Sequence, residues 1–133
     1  MFKSFARYQS QLLGLLRIVA GLLFLAHGVV KLFGFPPDAQ PGQVELMTLL
    51  GAAGIIELVA GTLIMIGLFT RPAAFVASGQ MAFAYWMMHA PASPYPVNNG
   101  GDAAILYCFL FLYLAAAGPG AFSVDAGRSR VRR

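Results

Sequence analysis

The sequence is poor in charged residues and in cysteine, and both shortages exclude classes of protein. Only 11% of its 133 residues are charged, whereas about a quarter are charged in a typical soluble domain. The single cysteine, Cys108, cannot form a disulfide within the chain and belongs to no CxxC or haem-attachment motif. The sequence therefore excludes an ordinary soluble fold and a two-cysteine redox centre within this chain.

Histidine is equally scarce. The two histidines are His27 and His89, and their expected depths in a membrane differ by several ångströms along the helix rise. Because two axial ligands must face one iron, we do not expect a haem between them. We predict no metal site and no covalently bound cofactor.

Long apolar runs account for most of the chain. Hydrophobic residues make up 59% of the sequence, and the mean hydropathy is +0.71. A run of about 20 apolar residues is long enough to cross a bilayer as an α-helix. We therefore predict an all-α membrane protein, a four-helix transmembrane bundle that forms a single domain over residues 1–133. Its predicted spans are residues 12–35, 46–69, 72–89 and 102–117.

Basic residues cluster in the three segments that four spans place on one side of the membrane. Acidic residues fall in or beside the opposite loops. The positive-inside rule then predicts that both termini are cytoplasmic. We interpret the basic tail, residues 125–133, as a topology signal or an anionic-lipid contact, and we expect no nucleic-acid partner. The residues concerned are Lys3, Arg7, Arg71 and the tail arginines on one side, and Asp38, Glu45 and Asp102 on the other.

Ionisable residues inside the first two spans are the strongest functional signal. The first span contains Arg17, His27 and Lys31, and the second contains Glu57 near its middle. Each such group costs at least a few kcal/mol in hydrocarbon unless it is paired. His27 and Lys31 share one helix face because they are four residues apart. We expect Glu57 to meet His27 directly, or Lys31 through its flexible stem or a water.

Further polar residues border the longest loop, residues 91–101. We expect His89, Asn99 and Asp102 to lie together where this loop meets the helices, at the mouth of a pocket, with Tyr107 deeper inside. Together with the charged residues of the first two spans they outline a polar pocket that opens outward. The candidates for ligand binding or proton relay are Arg17, His27, Lys31, Glu57, His89, Asn99, Asp102 and Tyr107.

Structural roles for these residues compete with the functional ones. A Glu57 ion pair can simply neutralise itself and fix helix register. Arg17 can extend to lipid headgroups or pair inward, with Gln80 as one partner. Glycines at every seventh position of the first span form a small-residue stripe that lets a neighbouring helix approach closely. These glycines are Gly14, Gly21 and Gly28.

Four short motifs in a fixed order resemble the DoxX family of small four-helix bacterial membrane proteins. The resemblance covers about residues 15–125. The first two motifs are R-x3-G-x5-HG-x2-K (Arg17, Gly21, His27, Gly28, Lys31) and E-x3-G-x5-GL-x-TR (Glu57, Gly61, Gly67, Leu68, Thr70, Arg71). The other two are NGG (Asn99, Gly100, Gly101) and GPG-x2-S-x-D (Gly118, Pro119, Gly120, Ser123, Asp125). Asp102 stands where the family often has Glu after NGG.

The resemblance implies a bacterial cytoplasmic (inner) membrane protein and a redox setting. Some relatives resemble the membrane subunit of a thiosulfate:quinone oxidoreductase, and others a membrane partner of redox enzymes. We therefore expect an integral subunit of a redox complex that binds a quinone between His27, Lys31, Glu57 and Tyr107, or that anchors a partner oxidoreductase. The alternatives are a small-molecule or lipid carrier, which predicts a homodimer with Lys31 and Arg17 as anion sites, and an assembly scaffold. Whether the chain is itself an enzyme stays open, and no catalytic residue is assigned.

Overall fold

The fold is all-α, with four main helices. The computed structural model describes residues 2–131, with the side chains of residues 4–129 and 131. In chain order the elements are a 3-10 helix at Phe2–Tyr8, α1 at Gln9–Phe33, α2 at Leu49–Ile66, α3 at Thr70–Ala84, a π-helical turn at Tyr85–His89, α4 at Pro96–Asn99, α5 at Asp102–Ala117 and α6 at Val124–Val131. The predicted basic tail overlaps α6, and its last two residues lie outside the described part.

Within residues 2–131, two helical stretches are long and apolar enough to cross a membrane, Ser4–Phe33 and Leu49–Ile66. α3 and α5 are shorter, with 15 and 16 residues, and the π-helical turn lengthens α3 by 5 residues. The prediction of an all-α protein with four main helices is confirmed. That all four cross the membrane stays a prediction.

Local signals explain where the helix bounds differ from the predicted spans. α2 is shorter than residues 46–69 because the Thr48 hydroxyl caps its first turn, accepting a hydrogen bond from the Gly51 amide at 3.1 Å. Gly67, with φ 72°, ends the same helix in the left-handed conformation. α5 has the predicted bounds, because Gly101 and Gly118 flank it. The π-helical turn inside the predicted third span was not expected.

α1 and α2 pack with their backbones in close contact. A Cβ atom on Gly21 would lie 2.6 Å from the amide nitrogen of Met65, and one on Gly28 would lie 2.6 Å from that of Leu58. Gly61 of α2 makes the reciprocal approach to α1. The predicted role of the small-residue stripe in close helix packing is confirmed for Gly21 and Gly28, whereas Gly14 lies against the Ala121 backbone in the segment after α5.

An apolar core joins this helix pair to α3 and α5. Phe24 of α1 meets Phe111 of α5 edge to face, with ring centroids 4.9 Å apart. Both rings are fully buried, together with Ile64 of α2 and Ala74 of α3. Since each main helix contributes to one continuous core, the four helices form a bundle.

Both terminal segments lie at one end of the bundle, because the Ala121 amide donates to the Ser10 carbonyl at 2.9 Å. We call this the terminal end. The opposite end, with residues 34–48 and 90–101, is called the loop end.

Asp125 of α6 caps the first turn of α3 at the terminal end. Its carboxylate accepts hydrogen bonds from the amides of Phe69 at 3.0 Å and Thr70 at 2.9 Å. Phe69 has φ 49°, a conformation that non-glycine residues rarely adopt, so this contact also holds a strained turn. Partial burial raises the pKa of Asp125, but the two amide hydrogen bonds and the Arg128 charge outweigh it, so the pKa lies below its ordinary value.

We expect Gly28→Ala to destabilise the protein strongly, because the added methyl group would collide with the backbone of α2 rather than with a movable side chain. Gly79→Ala is the matched control, since no heavy atom of a neighbouring element lies within 4 Å of the place its methyl group would take, and alanine favours a helix by ~1 kcal/mol. Thermal unfolding in detergent measures both. Equal midpoints for the two variants would contradict the close packing of α1 and α2.

The Asp125 cap predicts a pH-dependent stability. A carboxyl group with a lowered folded-state pKa stabilises the protein above its unfolded pKa of about 3.9, and this contribution is lost as pH falls through the folded-state value. Asp125→Asn should therefore lower the unfolding midpoint at pH 7 and make progressively less difference as the pH falls below about 4. Asp38→Asn, at an exposed loop position, is the control. A midpoint difference that is independent of pH would refute the assignment.

Candidate functional site

A cavity of about 540 Å³ lies between the four main helices, in the half of the bundle toward the loop end. Most of its wall is apolar. The principal apolar residues are Phe24, Met81, Phe83, Met87, Met88 and Ala104. A concave, mostly apolar cavity with a few polar groups is the usual form of a small-molecule site.

One side of the cavity carries a buried polar cluster. Lys31 donates to Glu57 Oε1 at 2.5 Å, and Gln80 Nε2 donates to the same oxygen at 2.8 Å. Glu57 is 1% exposed. Its other oxygen, Oε2, is buried and has no hydrogen-bond partner among the described residues, and the same holds for Gln80 Oε1. We call Lys31, Glu57 and Gln80 the polar cluster.

The packing of α1 on α2 positions this cluster. A Cβ on Gly54 would lie 3.0 Å from the Lys31 Cβ, so the lysine stem passes directly over the α2 backbone. Glu57 lies one helical turn further along α2, where the ammonium group reaches it. Of the two partners expected for Glu57, the structure pairs it with Lys31, whereas His27 is exposed and makes no hydrogen bond to it.

Three other candidate residues line the same cavity: His27, His89 and Tyr107. The Tyr107 ring stacks on Phe111 with centroids 5.5 Å apart. The Nδ1 atom of His89 lies 3.0 Å from the Asn99 carbonyl oxygen. Because a carbonyl oxygen only accepts, Nδ1 carries the proton and Nε2 is the remaining ring nitrogen.

Asn99 and Asp102 do not line the cavity. Asn99 braces the long loop, since its side chain donates to the Ser93 carbonyl at 2.9 Å and accepts from the Gly101 amide at 2.8 Å. Asp102 is exposed in the first turn of α5, where a negative charge suits the helix dipole. The structure thus separates these two residues from the polar cluster and gives Asn99 a role in loop structure.

Arg17 lies at the terminal end, roughly 20 Å along α1 from Lys31. It is fully buried, and each of its five N–H groups donates to a backbone carbonyl at 2.6–3.0 Å. The acceptors are Ile64, Met65, Pro119, Ala121 and Phe122, and we call Arg17 with these carbonyls the Arg17 cluster. Arg17 therefore turns inward, but the expected pairing with Gln80 is wrong, and so is the extension to headgroups.

Gln80 and the methionines are the site residues that sequence reasoning does not assign. The sequence suggests Gln80 only as a partner of Arg17, although an amide inside an apolar span is itself a signal of a buried polar contact. Met81, Met87 and Met88 give no signal, because methionine is also an ordinary core residue. The π-helical turn at Tyr85–His89 carries two of them, and such turns often occur at functional sites.

Comparison with known proteins agrees with a membrane-embedded fold. The profile of the DoxX family matches residues 12–90, more than half of the chain. The chain belongs to the DoxX family. An uncharacterized protein of Haemophilus influenzae is 40% identical over 123 residues, covering 90% of this chain and 92% of that protein. No solved structure matches the chain significantly.

Two further relatives of this DoxX protein are named as membrane proteins. The inner membrane protein YphA of Escherichia coli is 34% identical over 130 residues, covering 86% of this chain and 88% of YphA. An uncharacterized membrane protein of Mycobacterium tuberculosis is 38% identical over 65 residues, covering 44% and 39% of the two chains. By homology this DoxX protein is an inner membrane protein in contact with the lipid bilayer.

We expect Arg17→Lys to lower the free energy of unfolding by at least about 2 kcal/mol, because an ammonium group has three donors for five buried or partly buried carbonyls. Arg7→Lys is the matched control, since Arg7 is exposed and contacts only the neighbouring Tyr8 among the described side-chain contacts. Unfolding in detergent, followed by circular dichroism, measures both variants. Wild-type stability of Arg17→Lys would show that the Arg17 cluster does not hold the terminal end together.

Proposed function

We propose that this DoxX protein is a ligand-binding membrane subunit of a redox complex, and that its cavity holds the headgroup of a quinone-class molecule. One observation carries the proposal: a buried carboxylate oxygen, Glu57 Oε2, has no partner among the described residues and lies beside a cavity of about 540 Å³. A Lys31–Glu57 pair that served only helix register would not need a cavity beside it. The unpaired oxygen supports a role in binding.

The energetic cost of this arrangement supports the same interpretation. A buried acceptor without a hydrogen bond costs about 1–3 kcal/mol, and more when it is charged. Among the described residues, neither Glu57 Oε2 nor Gln80 Oε1 has a partner that would offset this cost. A molecule in the cavity that hydrogen-bonds to them would remove it, so binding is favoured at the polar cluster rather than elsewhere on the wall.

The residues present fit a quinone-class headgroup. Lys31 donates one of its three N–H groups to Glu57, which leaves two for a ligand, and the Tyr107 hydroxyl is a further donor on the cavity wall. The apolar wall suits a ring and a hydrocarbon tail. Such a group supplies two-electron, two-proton chemistry when bound. Glu57 and Lys31 would orient the headgroup and hold a proton at the carboxylate, while electrons come from a partner oxidoreductase, because the chain has no two-cysteine motif.

The proposed topology has four membrane crossings with both termini cytoplasmic. Arg7, Arg71 and Arg128 lie at the terminal end, and Arg71 donates to the last carbonyls of α5 there. Asp38 and Glu45 belong to the loop end. This distribution follows the positive-inside rule and supports a cavity that opens toward the periplasmic side.

A carrier of a small hydrophobic metabolite or lipid is the second candidate, favoured by the largely apolar wall. The position of Arg17 argues against one feature expected of a carrier. A carrier was expected to use Arg17 as an anion site, but the five donors of this side chain are all bound to carbonyls far from the cavity. A carrier would therefore depend on Lys31 and on a second copy of the chain.

The proposal predicts that gentle purification from the native membrane retains a quinone-class molecule, a redox protein, or both. Extracted lipids and associated proteins are identified by mass spectrometry. Glu57→Gln should reduce the retained quinone about tenfold or more, since a charge-assisted contact contributes about 1.5–3 kcal/mol. Glu45→Gln, the same change at an exposed loop position, is the control and should retain the wild-type amount.

Two outcomes would count against the proposal. A preparation with neither quinone nor redox partner, but with another tightly held metabolite, would favour the carrier. If Glu57→Gln lowers stability without changing retained ligand or partner, the Lys31–Glu57 pair serves helix register alone.

A further inference from the structure

The fully buried, unpaired atoms at the cavity are of one kind. Among the described buried side chains, the atoms there without a hydrogen-bond partner are Glu57 Oε2 and Gln80 Oε1, and both are acceptors. The buried donor of the cluster, Gln80 Nε2, is already bound to Glu57. The buried, unpaired atoms of the polar cluster are therefore both acceptors, whereas the partly exposed Lys31 ammonium keeps N–H groups beyond the one it donates to Glu57.

The orientation of the Gln80 amide follows from its partner. Glu57 Oε1 accepts hydrogen bonds from both Lys31 and Gln80, so the amide must present its NH₂ group to the carboxylate. Its carbonyl oxygen then faces away from that bond. The two unpaired oxygens belong to the carboxylate and the amide that this 2.8 Å hydrogen bond joins.

The net charge of the polar cluster further restricts the kind of ligand that can bind. Lys31 neutralises Glu57 across a 2.5 Å contact, so the pair offers no net charge to attract a cation or an anion. The complementary ligand is a neutral headgroup that donates hydrogen bonds and carries an apolar body for the rest of the wall. Hydroxyl groups on an aromatic ring meet both conditions.

We propose that the cavity preferentially binds the reduced, dihydroxylated form of a quinone-class molecule, through Glu57 Oε2 and Gln80 Oε1. This inference rests on the proposed function and specifies the redox form of its ligand. The carbonyl oxygens of the oxidised form cannot donate to either acceptor, so they leave both oxygens unpaired. The hydroxyl groups of the reduced form can pair with both.

The test compares the two redox forms of one short-tailed benzoquinone on the full-length protein in lipid nanodiscs. The reduced form is kept under anaerobic conditions with excess reductant, and binding is measured by isothermal titration calorimetry. We expect the reduced form to bind at least tenfold more tightly, which corresponds to about 1.4 kcal/mol. Equal affinities, or tighter binding of the oxidised form, would overturn the inference and leave the proposed function standing.

Variants distinguish the role of the two acceptor oxygens in binding from a general effect on the fold. Glu57→Gln can place an amide donor where Oε2 lies, so it should abolish or reverse the preference for the reduced form, while Glu45→Gln should keep it. If Glu57→Gln does not fold, Gln80→Met retains the Lys31–Glu57 pair and should reduce the preference several-fold. An unchanged preference in a folded variant would also overturn the inference. If neither redox form binds the wild type, the quinone-class proposal itself fails.

Discussion

The hydrogen bonds donated by the Arg17 guanidinium are the interaction on which the rest of the fold depends. A free carbonyl at a helix end or in a turn that is shielded from solvent needs a hydrogen-bond donor from elsewhere in the protein. Arg17 supplies five N–H donors to five such carbonyls, at the end of α2 and in residues 119–122. This one side chain therefore joins α1, α2 and the segment after α5, and it fixes the axial register of α1 against α2. Register is what places Lys31 level with Glu57 at the other end of the same helix pair.

The two ends of the bundle use charge in different ways. At the terminal end each of three charged groups is matched to backbone: Arg17 to carbonyls, Arg71 to the last carbonyls of α5, and Asp125 to the amides that begin α3. Toward the loop end the Lys31–Glu57 pair lies beside a cavity and leaves one carboxylate oxygen unpaired among the described residues. At the terminal end all three of these charged groups have backbone partners, and these contacts stabilise the fold. The second arrangement leaves a buried acceptor without a partner among the described residues, which is why the proposed function is placed there.

The motifs on which the sequence resemblance to the DoxX family rests divide between these two arrangements. Arg17, Arg71 and Asp125 belong to the terminal end, and the glycines of α1 and α2 permit the close backbone packing between the ends. Lys31 and Glu57 contribute to the polar cluster. Most of these motif residues thus specify how the helices pack, and few are available to specify a ligand.

The sequence by itself determined the four main helices, because apolar runs and the proline and glycine breaks between them act locally. It predicted the bounds of α5, the close packing at Gly21 and Gly28, and a buried partner for Glu57 on α1. Only the tertiary structure decided that this partner is Lys31 rather than His27, and that Gln80 completes the cluster. Helical rise predicts the depth of a residue, but not how far apart two helices lie or how each is rotated about its axis. The sequence does not predict the partners of Arg17 for a second reason. Backbone carbonyls are present at every residue, so no side-chain pattern marks the five that Arg17 binds.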